Sequence, residues 1–306
     1  MMKLARLKHN LSIQDTSFLE MYSFKCGNTV PIYDIKSIYG LNQIIGHAKF
    51  TTKEYGEVLY RGETCLHEEL IPSLFRGCRA TTKWDKISSL INKLLKSSAL
   101  ANAINAGPDQ KIGRHKVEGI LQHYGIQTRF IDLVDNHWIA LWMGLYECKR
   151  MKTINCYYHY QRRDIPIIDT FNGLTITPKD LFQYILLIAL PKATKTIDGI
   201  EETQNFLKID LRQALPSIFL RPHSQHGLVA RKKIANAKHA SDYDMATEVI
   251  GILRIRIDMS SKWLGNGELV SPENIFPSPL YDCGYDMLLN LPKDFFPQSY
   301  SISKYL

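Results

Sequence analysis

The sequence predicts an α+β fold, with helices from the first half packed on a mostly antiparallel, strongly bent sheet from the second half. Two observations carry this. Apolar residues recur at helical spacing in three segments, residues 84–95, 117–124 and 136–150. After residue 154, short apolar or alternating runs bounded by turn residues dominate instead, as strands do. Helices early and strands late argue against a repeating βαβ architecture.

Taken in order, residues 1–35 lack sustained periodicity and are expected to form an N-terminal extension packed on the main body, residues 36–306. Residues 57–61 read as a strand that delivers Arg61 and Gly62 at its end. Pro72, Gly77 and Thr81-Thr82 mark a loop. Thr82 heads a helix whose Trp84, Ile87, Leu90, Ile91, Leu94 and Leu95 share one face, and Asp85 completes a capping-box-like start. Gly107-Pro108-Asp109 breaks it. Val117, Ile120, Leu121 and Tyr124 then give the i, i+3, i+4, i+7 face of a second helix, and Gly125 stands at the stop position. Residues 128–132 alternate polar and apolar, as a short strand.

A helix over residues 136–150 follows, capped by Asp135 or Asn136 and apolar on most sides, hence buried. Strands are expected at 154–160, 184–190, 217–220, 227–230 and 248–257. In the last, Ile255 and Ile257 alternate with Arg254 and Arg256, as in a sheet with one wet face.

The chain has 306 residues, of which 45% are hydrophobic, ordinary for a soluble globular protein. No run approaches the roughly 18 apolar residues of a membrane span, and the N-terminus lacks the apolar run of a signal peptide. A cytoplasmic protein without a membrane partner is expected. The six cysteines include no C-x-x-C pair and read as reduced structural thiols. Net charge +8 favours polyanionic partners: nucleic acid, acidic proteins or a dinucleotide. The densest basic run, Arg231-Lys232-Lys233, reads as a solvated face. His223-x-x-His226 has metal-pair spacing but no third ligand nearby, so no metal is expected. Asp242 and Asp244 with Glu248 read as an acidic surface loop. No G-x-G-x-x-G, P-loop or G-x-S-x-G occurs, which leaves Rossmann, Walker-type and α/β-hydrolase chemistry without support.

The most telling stretch runs from Gln122 to Asp132. It brings His123, Tyr124, Thr128, Arg129 and Asp132 into eleven residues around a helix stop, where a core segment would need only apolar ones. With three other pieces it resembles the FRG domain, a bacterial and phage family named for a Phe-Arg-Gly motif. Leu59-Tyr60-Arg61-Gly62-Glu63 resembles its opening Arg-Gly segment, and residues 70–77 its L-x-P-S-L-F-R stretch. Gln122 to Asp132 and the ensuing helix resemble its Q-H-Y-G-x-x-T-R-x-x-D element. Residues 220–227, which contain Arg221 and Gln225, resemble its late R-x-x-x-Q-x-G element, and Ile275-Phe276-Pro277 its closing F-P. Order and spacing hold over about residues 57–290. One departure stands out: many members carry a Trp-Ser or Trp-Thr pair after the central aspartate, where this chain has Leu133-Val134.

The resemblance implies a toxin or phage-defence effector and leaves its chemistry open. The polar residues also resemble, in layout and not in motif, ADP-ribosyltransferases: an early-strand Arg or His, a middle Ser/Thr or Tyr, a late Glu or Gln. Here the order is Arg61, then Tyr124 and Thr128, then Gln225. That layout implies NAD as substrate, an ADP-ribosyltransferase-like fold, and a macromolecular acceptor (nucleic acid or protein) with a cognate inhibitor. Arg61 with Gly62 and Arg221 would hold the cofactor, Tyr124 would stack, and Thr128 and Arg129 would orient. Gln225 would meet the ribose or acceptor, and His123 and Asp132 would move protons. Glu248 is an alternative late acid.

Each residue also has a plainer reading: an Arg61–Asp132 ion pair, a helix-end role for His123, a core role for Tyr124, a cap at Asp132 or backbone satisfaction by Gln225. Two functional alternatives compete. One is a non-catalytic nucleic-acid-binding module using Arg254, Arg256, Tyr157, Tyr158 and Tyr160; the other is a nuclease-like activity of His123 and Arg129.

Overall fold

The computed structural model describes residues 4–76, 80–107, 109–152, 156–165, 178–234, 239–292, 295–296 and 301–305. The chain opens with strands β1 (Thr16–Ser23) and β2 (Thr29–Ile35), helix α1 (Ile38–Thr52) and strand β3 (Gly56–Glu63). Helices α2 (Ala80–Leu95), α3 (Ser98–Ala103) and α4 (Gln110–His123) lead to β4 (Ile131–Val134), α5 (His137–Leu145), β5 (Tyr146–Lys152) and β6 (Cys156–Arg162). Then come α6 (Pro178–Leu181), β7 (Phe182–Pro191), β8 (Lys195–Ile197), β9 (Ile200–Glu202), β10 (Phe206–Asp210), α7 (Leu211–Ala214), α8 (Leu220–Ser224) and β11 (Gly227–Lys232). The last elements are β12 (Val249–Arg256), α9 (Ile257–Trp263), α10 (Pro272–Ile275), α11 (Cys283–Leu289) and β13 (Lys304–Tyr305). No helix among the described residues is long and apolar enough to cross a membrane.

Ten strands form one open sheet in the order β1-β2-β12-β7-β3-β4-β11-β10-β9-β8, antiparallel except between β2 and β12. A three-stranded sheet, β13-β6-β5, stands beside it. The fold is therefore α+β, but its helices and strands are not divided between the halves as expected. Strands β1 to β4 come from the first half, and the segment expected to be an extension supplies β1 and β2. The reason is burial on both faces: most of β2 is buried, so its side chains do not alternate between polar and apolar.

Strand β7 shows the same logic at the sheet centre. Ile185, Leu187 and Ala189 join the core under α1 and α5, while Tyr184, Leu186, Ile188 and Leu190 join a second core on the other face. A third core gathers α2, α3, α4 and α7.

Helix α4 starts where Asp109 caps it, its carboxylate accepting from the Lys111 N–H at 2.8 Å. It stops at Gly125, whose φ of +91° lets the Ile126 N–H return to the Leu121 carbonyl at 2.8 Å. Strand β4 begins three residues later than the alternation suggested. Thr128 Oγ1 accepts from the Phe130 N–H at 3.1 Å, a local turn that bends the chain out of the ladder. Helix α5, capped by Asn136, ends at Leu145 and not at Arg150, because Tyr146–Lys152 pairs with β6 along its whole length. Residues 217–220 are not a strand; they lead into α8. Ile257 starts α9 and is not a strand residue. Gly77, Pro108, residues 153–155 and the side chain of Thr82 lie outside the described residues.

Two expectations follow. A Cβ at Gly62 would overlap the Ala140 carbonyl of α5, so Gly62→Ala forces β3 and α5 apart. It should lower stability by about 3 kcal/mol, read from urea unfolding. Burial, and then Arg231, push the His115 imidazole from 6.5 down to about 4. Between those values the unfolded chain binds a proton that the folded chain does not. Stability is therefore full above pH 6.5 and falls by roughly 2–3 kcal/mol as pH drops to 4. His115→Gln should flatten that slope in urea midpoints measured across the range.

Candidate functional site

The sheet parts at one place. Strand β3 pairs with β7 along its full length and β4 with β11 along its own, but β3 and β4 meet at a single position, Tyr60 opposite Val134. Beyond it the two strands diverge, and a cavity of about 450 Å³ opens between them. Arg61, Gly62 and Glu63 line one side; Asp132 and Leu133 line the other; Gln122 and His123, at the end of α4, reach in from the edge.

Arg61 bridges the gap. Its Nη1 donates to the Asp132 carbonyl at 2.9 Å and its Nε to Glu63 Oε1 at 2.5 Å. Burial pulls against its charge, but Glu63 and Asp132 outweigh that and hold the guanidinium cationic. The plainer Arg61–Asp132 reading is thus realised through a backbone carbonyl, not through the carboxylate. The Asp132 carboxylate instead accepts from Gln122 Nε2 at 2.7 Å through Oδ2, and Gln122 Oε1 accepts from Thr128 Oγ1 at 2.6 Å. Asp132 Oδ1 is buried without a hydrogen-bond partner, 3.8 Å from His123 Nδ1. The His123 ring lies flush against Gly227, where a Cβ would collide with it, and its Nε2 has no partner.

Gln225 also lines the cavity, with Nε2 donating to the Ile275 carbonyl at 2.8 Å. Arg61 and Gln225, far apart in sequence, therefore share one cleft. The far wall is aromatic: Tyr146, Tyr160, Phe276 and Tyr305. Tyr160 and Phe276 stack with centroids 4.0 Å apart, and Phe276 and Tyr305 at 5.1 Å.

Four residues expected in the site stand behind it. Tyr124 is fully buried and donates to Asp282 Oδ2 at 2.6 Å. Thr128 is fully buried and orients Gln122. Arg129 forms a buried ion pair with Glu118 (Nε to Oε1, 2.6 Å) and lies 4.3 Å over the Trp84 ring, outside the cavity lining. Arg221 is fully buried among the rings of Tyr124, Phe276, Tyr285 and Tyr305, at 4.5, 5.2, 4.6 and 4.5 Å. Its guanidinium donates to the His123 carbonyl at 3.3 Å, and its own N–H is held by Asp282 at 3.0 Å. None of these four is among the residues that line the cavity.

Sequence reasoning missed Glu63 and Gln122 as site residues, although both lie inside the quoted motifs, and it missed Tyr305 altogether. Tyr160 and Phe276 were noticed for other reasons. Of the side chains that suggest nucleic-acid binding, Arg254 pairs with Asp34 at 2.9 Å, Arg256 with Asp258 at 3.0 Å, and Tyr160 belongs to the wall. Asp132 does not cap α5, since Asn136 does. Glu248 accepts from Tyr55 at 3.2 Å and lies outside the cavity lining. His226 Nδ1 lies 3.2 Å from Asp135, and no group of three or more metal-ligating side chains occurs among the described residues.

Residues 56–152, from β3 to β5, match the family model of the FRG domain. The match includes Arg61, Gly62, Glu63, Gln122, His123 and Asp132; Gln225 and most of the aromatic wall come from outside it. No curated protein and no solved structure matches the chain.

Because Arg129 pairs with the buried Glu118 and does not line the cavity, Arg129→Ala should act on stability. It strands a buried carboxylate, and urea unfolding should register a loss of about 3–5 kcal/mol.

Proposed function

From an FRG-domain chain with this cleft, we propose an enzyme that cleaves the nicotinamide–ribose bond of NAD and passes ADP-ribose to an acceptor, in the setting of a toxin or phage-defence effector. One observation carries the reading. A single cavity holds one guanidinium, Arg61, two carboxylates, Glu63 and Asp132, and an aromatic wall. NAD needs that combination of opposite charges: its pyrophosphate is anionic, while its pyridinium ring and the oxocarbenium-like ribose of the transition state are cationic. A purely basic groove would suit the first and oppose the second.

In this reading Arg61 holds the pyrophosphate, as a planar cation fixed at two of its nitrogens can. The wall rings take the stacking role first given to Tyr124, whose ring is sealed in the core. Glu63 and Asp132 stabilise the ribosyl cation as the C1′–N1 bond breaks and its electron pair leaves with nicotinamide. The acceptor's oxygen or nitrogen then forms the new bond to C1′, and its proton passes to the Asp132 carboxylate, which lines the cavity. His123 borders this carboxylate, with Nδ1 3.8 Å from Oδ1, and fixes its position; Gln225 guides the ribose or acceptor. Gly62 lines the cavity and, lacking a Cβ, lets α5 approach.

The test is nicotinamide release from NAD, with cell lysate as acceptor source. Asp132→Asn should lower kcat/KM by about 10²–10⁴-fold, the range for a lost proton acceptor, with little change in the unfolding midpoint. Arg61→Ala should abolish turnover. Absence of release by the wild-type chain, or unchanged turnover in Arg61→Ala, would reject the proposal.

A further inference from the structure

A second cavity adjoins the cleft through shared side chains. It measures about 480 Å³ and is lined by Leu220, Ser224, Glu273, Asn274, Pro277 and Tyr281, together with Phe276 and Tyr305, which also line the cleft. Those two rings stand as a partition with one cavity on each side. A cleft of about 450 Å³ is near the lower end of ligand-site volumes, roughly 300–1,000 Å³, and is small for both nucleoside halves of a dinucleotide.

We infer that this second cavity is the half-site for the adenosine moiety of a dinucleotide whose other half occupies the cleft. The inference takes the ligand's name from the proposed NAD chemistry but is tested without turnover. The lining argues for a neutral nucleoside. Among the described residues it contains neither arginine nor lysine, so the pyrophosphate remains with Arg61. Leu220, Pro277 and the Phe276 and Tyr281 rings offer flat apolar surface to a base. The Asn274 side-chain amide, with a donor and an acceptor side by side, matches the N6/N7 edge of adenine. Glu273 supplies a carboxylate to accept from ribose hydroxyls. Tyr281 is 72% exposed, as expected of a ring that closes over a ligand and not of one built into a core.

Isothermal titration of the full chain with adenosine tests this. Adenosine should bind the wild type, and Tyr281→Ala should weaken it about tenfold, as loss of one base–aromatic stack does. Ser224→Trp, which fills the cavity, should remove binding, with circular dichroism confirming that the variant folds; Tyr281→Ala, at an exposed position, covers the case in which it does not. Arg61→Ala should leave adenosine binding intact. No binding to the wild type overturns the inference, as does binding lost in Arg61→Ala and kept in Tyr281→Ala, which would put adenosine in the cleft. Failure of the NAD reading looks different: adenosine binds here, yet no nicotinamide is released.

Discussion

The parting of β3 from β4 after Tyr60 and Val134 is the constraint on which the site depends. A continuous ladder would bury the backbone there and bring the side chains of the two strands into register. Separation instead leaves main-chain groups that must find other partners. Arg61 takes one of them, spanning the gap to the Asp132 carbonyl. The split persists because each strand is fully paired on its outer side, with β7 and β11, and because α5 presses its backbone on Gly62. The cleft is thus a defect in the sheet that its surroundings hold open.

Behind that opening lies a charge handled in an unusual way. Arg221 has no ion pair among the described residues, and its Nε and Nη2 lack hydrogen-bond partners. Ring faces on several sides supply the compensation, each desolvated cation–π contact being worth about 2 kcal/mol. The rings belong to Tyr124 at the end of α4, Phe276 after α10, Tyr285 in α11 and Tyr305 in β13. One guanidinium therefore fastens three other chain segments to the end of α4, where it also donates to the His123 carbonyl. The site stands on a polar core that looks, residue by residue, like a list of ligand-binding groups.

That likeness explains what could be read in the sequence and what could not. The motifs from Arg61 to Asp132 were legible because a helix stop at Gly125 and a strand carrying polar groups leave local signals. Which polar groups face the cavity was not legible. Thr128, Arg129 and Asp132 lie within five residues, yet only Asp132 opens to the cleft, because the Thr128 turn rotates the chain before β4 begins. Arg129 was claimed by Glu118, a partner one helix away that no spacing rule links to it. Strand β2 leaves no alternation because it is buried on both faces, β1 leaves none because it is largely exposed, and β5 reads as helix because its pairing with β6 is a tertiary fact.

Tyr305 belongs to the wall of a cleft whose opposite side is laid down at Arg61. Residues 62–304 are synthesised between these two. During translation the Arg61 side can fold with α5 and β7 while the Tyr305 side is still inside the ribosome. A growing polypeptide is therefore without a complete binding wall until residue 305 has emerged and β13 has docked on β6.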